Sequence, residues 1–219
     1  MRGDATSVVR CLTWNVRGLK DKRKIRLVTA YVKRHGIDIC MLQETHLMAA
    51  AVGRLKVGWV GEAHCSTYSS YARGVAIIIR KGLQWRTREI IIDPNGRYVL
   101  LSVTLLDRAC RLVAVYGPNV DDPEFFLEVW RLVESLGAGA VIWGGDFNVV
   151  LDAKLDRESV ARVQHVSSAR SLAAVMNIGA LVDLWRQRHA GVREGPCLNY
   201  VHSSWSRIDR WLGTRDVEA

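Results

Sequence analysis

Several polar residues fall at or near the ends of apolar, strand-forming runs: Asn15, Glu44, Tyr116, the near neighbours Asp146 and Asn148, and Asp209. Taken singly, each has a plain reading. Asn and Asp at strand ends form turns, a Glu after an apolar strand is a solvated edge, and Tyr116 before Gly117-Pro118 is a core aromatic with its hydroxyl at the surface. Taken together they supply carboxylates, amides and a phenol. That inventory can bind a hard divalent cation through oxygen and orient a phosphodiester, because Mg²⁺ takes few carboxylates and completes its shell with water and substrate oxygens. The densest stretch is 140–150, AVIWGGDFNVV. Strand alternation through it predicts that Asp146 and Asn148 share a face, roughly 7 Å apart. Gly144 and Gly145 just before them would let a backbone or a phosphate come close.

The elements that must position these groups follow from periodicity. Residues 7–15 read as a strand. Residues 21–35 carry apolar positions 25, 28, 31 and 32, a helical stripe with a charged outer face, with Asp21 as N-cap and Gly36 as C-cap. Residues 37–44 give a second strand, so the chain opens as βαβ. A short helix over 48–55 and a strand near Trp59 come next, then a buried strand over 73–80. Strands at 85–92, 98–106 and 111–116, with a turn at Asp93-Pro-Asn-Gly96, form an antiparallel meander. Asp122-Pro123 opens a helix to Leu136, and Gly137 ends it. Beyond a charged loop at 151–158, helices are expected over 167–176 and 181–189. Strands are expected over 197–201 and 207–212 around a turn at 202–206. Two groups of strands with interspersed helices predict two packed sheets with helices outside.

The 219 residues fit a single domain over 1–219. Lys and Arg number 31 against 22 Asp and Glu, a net charge of +9 that favours a polyanionic partner, nucleic acid before an anionic membrane surface. Cys11, Cys40, Cys65, Cys110 and Cys197 are scattered and odd in number, with no CxxC. They read as free thiols in a reducing, intracellular compartment, not as a zinc site or a disulfide framework. No apolar run approaches the length of a membrane span, no signal-peptide core is expected, and no membrane partner is.

The stretches Leu12-Thr-Trp-Asn15, Leu42-Gln-Glu44, Val115-Tyr116, Gly144-Gly-Asp-Phe-Asn148 and Ser206-Arg-Ile-Asp209 resemble, in order, the endonuclease–exonuclease–phosphatase superfamily. Trp14-Asn-Val-Arg-Gly18, Gln43-Glu-Thr-His46, Asp156-Arg157 and Leu184-Trp-Arg186 give it the character of the apurinic/apyrimidinic-like endonuclease domain of LINE-type non-LTR retrotransposons. The resemblance implies an α/β, DNase I-like, four-layer sandwich of two mixed β-sheets flanked by helices. It implies Mg²⁺ as cofactor, with Mn²⁺ as a substitute, on Glu44 with Asn15 beside it. Asp146 would activate or position the attacking water, Asn148 would orient the scissile phosphate, Tyr116 would hydrogen-bond a phosphate oxygen, and Asp209 would be a supporting carboxylate. The implied activity is nicking of double-stranded chromosomal DNA in the nucleus to prime reverse transcription, by a monomeric domain followed by a reverse transcriptase in the parent polyprotein.

Two departures bear on that reading. Asn199 stands where the family has Thr, an exchange that keeps a hydrogen bond to phosphate. The family's closing Ser-Asp-His has no counterpart, and none of the six His falls in its context, so this chain is expected to lack that segment and to be impaired as a hydrolase. For substrate contact, Arg17, Asn199 and Trp205 are the candidates. Trp205 suits a groove wedge but is expected to pack on the sheet, and Lys22 to Lys24 are expected on a solvated helix face. The competing functions are an abasic-site repair endonuclease or another phosphodiesterase of the superfamily and, from a different class, an inactive nucleic-acid-binding domain.

Overall fold

The computed structural model describes residues 8–157, 165–193, 198–199 and 204–217, with backbone only for 198–199 and 204–205. The first sheet is built from β1 (Cys11–Asn15), β2 (Ile39–Gln43), β3 (Val60–Ser66) and β4 (Val75–Arg80), in the order β1-β2-β4-β3. β1 and β2 are parallel with Cys11 opposite Ile39, and α1 (Lys22–Arg34) connects them. Asp21 accepts a hydrogen bond from the Arg23 N–H at 2.7 Å and caps α1, whose Ile25, Val28 and Val32 are buried at helical spacing. Lys33 and Arg34 sit in its last turn, where a cation suits the helix dipole, and Gly36 turns the chain away at φ 61°. The short helix after β2 is a 3₁₀ helix, Ala49–Leu55.

The second sheet takes β5 (Trp85–Ile92), β6 (Tyr98–Leu105) and β7 (Arg108–Tyr116) as the expected antiparallel meander. Helix α2 (Pro123–Ser135) then carries the chain to β8 (Ala140–Asp146), parallel to β7. Helix α3 (Val166–Ile178) and the short strand β9 (Leu181–Asp183) follow. Segment 181–189 is thus a strand and then a helix, α4 (Leu184–Arg188), not one helix. Leu181 and Val182 are drawn into pairing with the final strand, and Asp183 caps α4 by accepting from the Arg186 N–H at 3.0 Å. The last hairpin also departs from expectation. β10 (Leu198–Asn199) falls within the strand expected over 197–201, but its partner β11 (Ser204–Trp205) lies in the expected turn, and the last strand, β12, begins only at Asp209 and runs to Thr214. The sheet order is β5-β6-β7-β8-β12-β9.

The two sheets pack face to face. Met41, Ile77 and Ile79 of the first meet Val99, Leu101 and Leu112 of the second in a buried apolar middle layer. The alternate residues of the first sheet, Cys40, Leu42 and Ile78, face α1. On the far side Phe126, Val129, Leu172 and Val175 of α2 and α3 cover Trp143 and Phe147. Period-two alternation thus makes four layers, helix, sheet, sheet, helix, as the sequence predicts. No helix among the described residues is long and apolar enough to cross a membrane. The four described cysteines are free, and burial pushes the Cys11 and Cys65 thiols up to about 12, as inert interior thiols should be.

The glycine pair serves packing, not phosphate. A Cβ on Gly144 would lie 2.5 Å from the Trp211 ring, and one on Gly145 would lie 2.1 Å from the Val115 carbonyl oxygen. Gly145→Ala therefore forces β7 and β8 apart and should destabilise the fold by roughly 3 kcal/mol, near the upper end for overpacked sites. Denaturant unfolding of the variant measures this, and an unchanged midpoint would refute the packing assignment.

Candidate active site

Both sheets deliver their polar strand ends to one edge of the sandwich. Asn15 is the last residue of β1, Glu44 follows β2, and Tyr116 and Asp146 end β7 and β8 side by side in parallel register. Asp209 opens β12 directly opposite Asp146. The residues after these strands turn through left-handed backbone, with φ 45° at Arg17, 51° at Glu44 and 53° at Asn148. A non-glycine residue held there costs roughly 1–3 kcal/mol, and such strain collects where function fixes geometry. Asp146 and Asn148 are therefore not alternate residues of one strand. β8 ends at Asp146, and the chain folds back so that the Asn148 N–H donates to Asp146 Oδ1 at 3.0 Å.

One amide joins the two sheets. Asn15 Nδ2 donates to Glu44 Oε1 at 2.9 Å and to Asp146 Oδ2 at 3.0 Å. Its own oxygen accepts from the Arg17 N–H at 3.1 Å, so the N–H face, not the carbonyl, is turned to the carboxylates. Tyr116 is buried, and it lines the cleft beside Asn119 and Glu44. Burial raises its pKa, with the nearby Glu44 and Asp146 charges adding to the rise. Asn148 Nδ2 donates to the Gly117 carbonyl at 2.8 Å and to Asn119 Oδ1 at 3.0 Å, bracing the loop after β7. Burial also raises the pKa of Asp146, against the opposing hydrogen bonds from Asn15 and Asn148. Asp209 is pushed up to about 7, first by burial and then by the Asp146 charge facing it.

These groups line a cleft of about 870 Å³ with Arg17, Trp185, Arg207 and Arg210. Asp156, in the charged loop after β8, stands behind the arginines of its wall. Asp156, 1% exposed, is held by Arg186, by Arg207 Nε at 2.9 Å and by Arg210 Nη2 at 2.9 Å. Asp183 takes Arg207 Nη2 at 2.6 Å and Arg210 Nη1 at 3.2 Å. Burial works to raise the Asp156 pKa, but the Arg207 and Arg210 guanidiniums outweigh it and hold the carboxyl at about 2. Arg207 also lies over the Trp185 ring, its guanidinium carbon 5.1 Å from the centroid.

The structure thus brings Asn15, Glu44, Tyr116, Asp146, Asn148 and Asp209 together with Arg17. The side chains of Asn199 and Trp205 lie outside the described residues. Asn119, Trp185, Arg207 and Arg210 were not picked out from the sequence as cleft residues. Asn119 hides in a Gly-Pro-Asn turn, and the acids that bury the arginines flanking Asp209 lie far away in sequence. Among the described residues no three His, Cys, Asp or Glu side chains are placed to share an ion. A cation here would rest on Glu44 with water and substrate oxygens, which fits Mg²⁺ and not a structural metal.

A two-sheet sandwich with carboxylates and amides at the strand ends defines a phosphodiesterase-like class of fold. Residues 12–219 match the Endonuclease/Exonuclease/phosphatase family, and the chain belongs to it. It is 28% identical over 206 residues to a Xenopus laevis protein described as transposon TX1 uncharacterized 149 kDa protein, covering 90% of this chain and 15% of that one. The chain thus spans only a small part of that relative. In fold it is similar to an AP endonuclease from Archaeoglobus fulgidus (TM-score 0.75, 18% identity, 95% of this chain and 88% of that one). It is also similar to the APE2 catalytic domain of Xenopus laevis (TM-score 0.72, 18% identity, 94% and 82%). A Neisseria 3′ phosphatase, NExo, bound to product DNA hairpin, gives 0.68 at 22% identity, covering 95% and 88%.

Two outcomes follow from the electrostatics. The folded pKa of Asp209 is raised, so its contribution is fully present below the unfolded value and is lost as pH rises through about 7. Asp209→Asn should therefore raise Tm at pH 8, by about 5 °C, and the gain should vanish near pH 4. A pH-independent difference would contradict the buried-charge account. Asp156→Ala leaves the buried Arg207 and Arg210 guanidiniums to share the single carboxylate of Asp183 and should cost roughly 3 kcal/mol in urea unfolding. A loss below about 1 kcal/mol, the scale of an exposed pair, would show the network to be solvated.

Proposed function

We propose that this chain is a Mg²⁺-dependent DNA endonuclease domain that nicks double-stranded target DNA by phosphodiester hydrolysis, as part of a longer LINE-type retrotransposon protein. The observation that carries the reading is the Asn15 amide joining Glu44 and Asp146 across the two sheets beside Asp209. The 28% identity to a transposon protein over 90% of the chain favours retrotransposition over abasic-site repair. The AP endonucleases contribute likeness of fold. The net charge of +9 suits a phosphate backbone.

In this reading Glu44 holds the cation, with Asn15 fixing the carboxylate from behind. The bound ion would supply Lewis-acid stabilisation of charge on the phosphoryl oxygens. Asp146, with a raised pKa and two N–H donors on its oxygens, positions the attacking water and takes its proton. Asp209 keeps its own proton to near neutrality, which limits the negative charge that gathers around the incoming phosphate. Tyr116 binds a phosphate oxygen, Asn148 orients the phosphate by bracing the loop after Tyr116 through Gly117 and Asn119, and Arg17 touches the strand. Positioning and charge stabilisation carry such a reaction, with little covalent work for the protein. The parent would act in the nucleus, where its DNA target lies, with a reverse transcriptase following this domain to extend from the nick.

Relaxation of supercoiled plasmid tests this, on the chain alone and on one extended into native downstream sequence. Nicking should require Mg²⁺ or Mn²⁺ and stop with EDTA. Glu44→Ala and Asp146→Asn should each lower it by about 10²-fold or more. Nicking that survives EDTA, or both substitutions, would rule out this site as the source.

A further inference from the structure

Outside the cleft, two tyrosines stand proud of the loop 67–74 between β3 and β4. Tyr68 is 50% exposed and Tyr71 83%. Each ring has a cation on one face. Lys20 Nζ lies 3.7 Å from the Tyr71 centroid, and the Arg73 guanidinium carbon lies 4.5 Å from that of Tyr68. With Lys20 on one side and this much of the ring in water, the other face of Tyr71 is open.

The loop is braced, not loose. Ser69 Oγ accepts from the N–H groups of Tyr71 and Ala72 at 3.2 and 3.0 Å, and Arg73 donates to the Asn95 carbonyl at 3.2 Å. Its end is tied to the active site. The Thr45 and His46 N–H groups, directly after Glu44, donate to the Gly74 and Arg73 carbonyls at 3.0 Å each. Beside the loop lies a pocket of about 330 Å³ lined by Lys20, His46, Met48, Arg54 and Ser70 among others, with no carboxylate in its wall. Positive charge therefore continues from Arg17 in the cleft through Lys20 to Arg54.

We propose that Tyr68 and Tyr71 form a stacking ledge for unpaired nucleotides of the DNA strand flanking the scissile phosphate, with Lys20, Arg54 and Arg73 taking its phosphates. The inference deepens the nuclease reading and rests on it for the identity of the strand. A paired duplex shows phosphates and groove edges but hides the faces of its bases. An open aromatic ring can use its face only on a base that has left the stack, and such stacking is strong and tolerant of sequence. Cations interleaved with exposed rings suit this ligand better than an intact helix. The domain should then favour DNA that is frayed or bubbled beside the nick.

Fluorescence anisotropy without divalent metal tests the ledge free of cleavage, using labelled single-stranded DNA, a fully paired duplex and a duplex with a short internal bubble. The single strand and the bubble should bind more tightly than the duplex. The double substitution Tyr68→Ala with Tyr71→Ala should weaken bubble binding about tenfold while moving duplex binding less than about twofold. Tyr71→Phe should keep the preference, and Lys20→Ala should flatten the salt dependence of both. Equal losses on bubble and duplex, or no preference in the unaltered protein, would overturn the proposal. Glu44→Ala separates the two readings, since it should abolish nicking and keep the bubble preference. Plasmid nicking without a tyrosine-dependent preference sinks the ledge alone, and the preference without nicking sinks the nuclease reading alone.

Discussion

Two carboxylates from different sheets approach each other at the floor of this cleft, and a single carboxamide lets them do so. Without the Asn15 amide, Glu44 and Asp146 would face one another across the sheet junction with only burial and repulsion between them. The amide spends both of its N–H bonds on them, and its oxygen is anchored by the Arg17 N–H. Its orientation is therefore set by backbone, not by rotamer preference. Much of the arrangement around it follows: the left-handed turn at Glu44 that presents its carboxylate, the parallel alignment of β7 with β8, and β12 entering opposite Asp146.

Charge governs the far wall as packing governs the floor. Asp156 and Asp183 sit among three arginines, two of them on either side of the Ile208–Asp209 step. The Ile208 carbonyl accepts from the Phe147 N–H at 2.9 Å, so that step is also stitched to β8. Asp209 is thereby kept at a fixed place while Arg207 and Arg210 direct their guanidiniums to the acids. A buried ion-pair network contributes little net stability relative to an apolar core of the same shape, but it is unforgiving of partial loss. Its value here is geometric, in tying the loop after β8, helix α4 and strand β12 to one set of carboxylates.

The layers were legible in the sequence because each depends on local periodicity. The stripe of α1, the Asp93-Pro-Asn-Gly96 turn and the unbroken apolar strands all announce themselves. The six strand-end site residues were legible as polar stops to apolar runs. What could not be read depends on long-range pairing. Leu181 and Val182 have no local reason to be a strand until β12 lies beside them, and β12 starts two residues later than its pattern suggests, where the Arg207 N–H is given to the Asp156 carbonyl at 2.8 Å. The expected sharing of a strand face by Asp146 and Asn148 failed because a left-handed residue interrupts the period-two rule. Asp156 was legible as part of a family pattern but not as a buried acid, since burial of an acid depends on cations 30 or more residues away.

Gly144 and Gly145 border Asp146 yet serve packing alone, being confined by the Trp211 ring and the Val115 carbonyl. Chemistry and architecture are thus separable within a few residues of chain. A variant that loses the carboxylate at 146 keeps its fold, whereas one that gains a side chain at 145 loses the strand that carries it. The glycines are thus fixed by the fold itself, and the carboxylate is not.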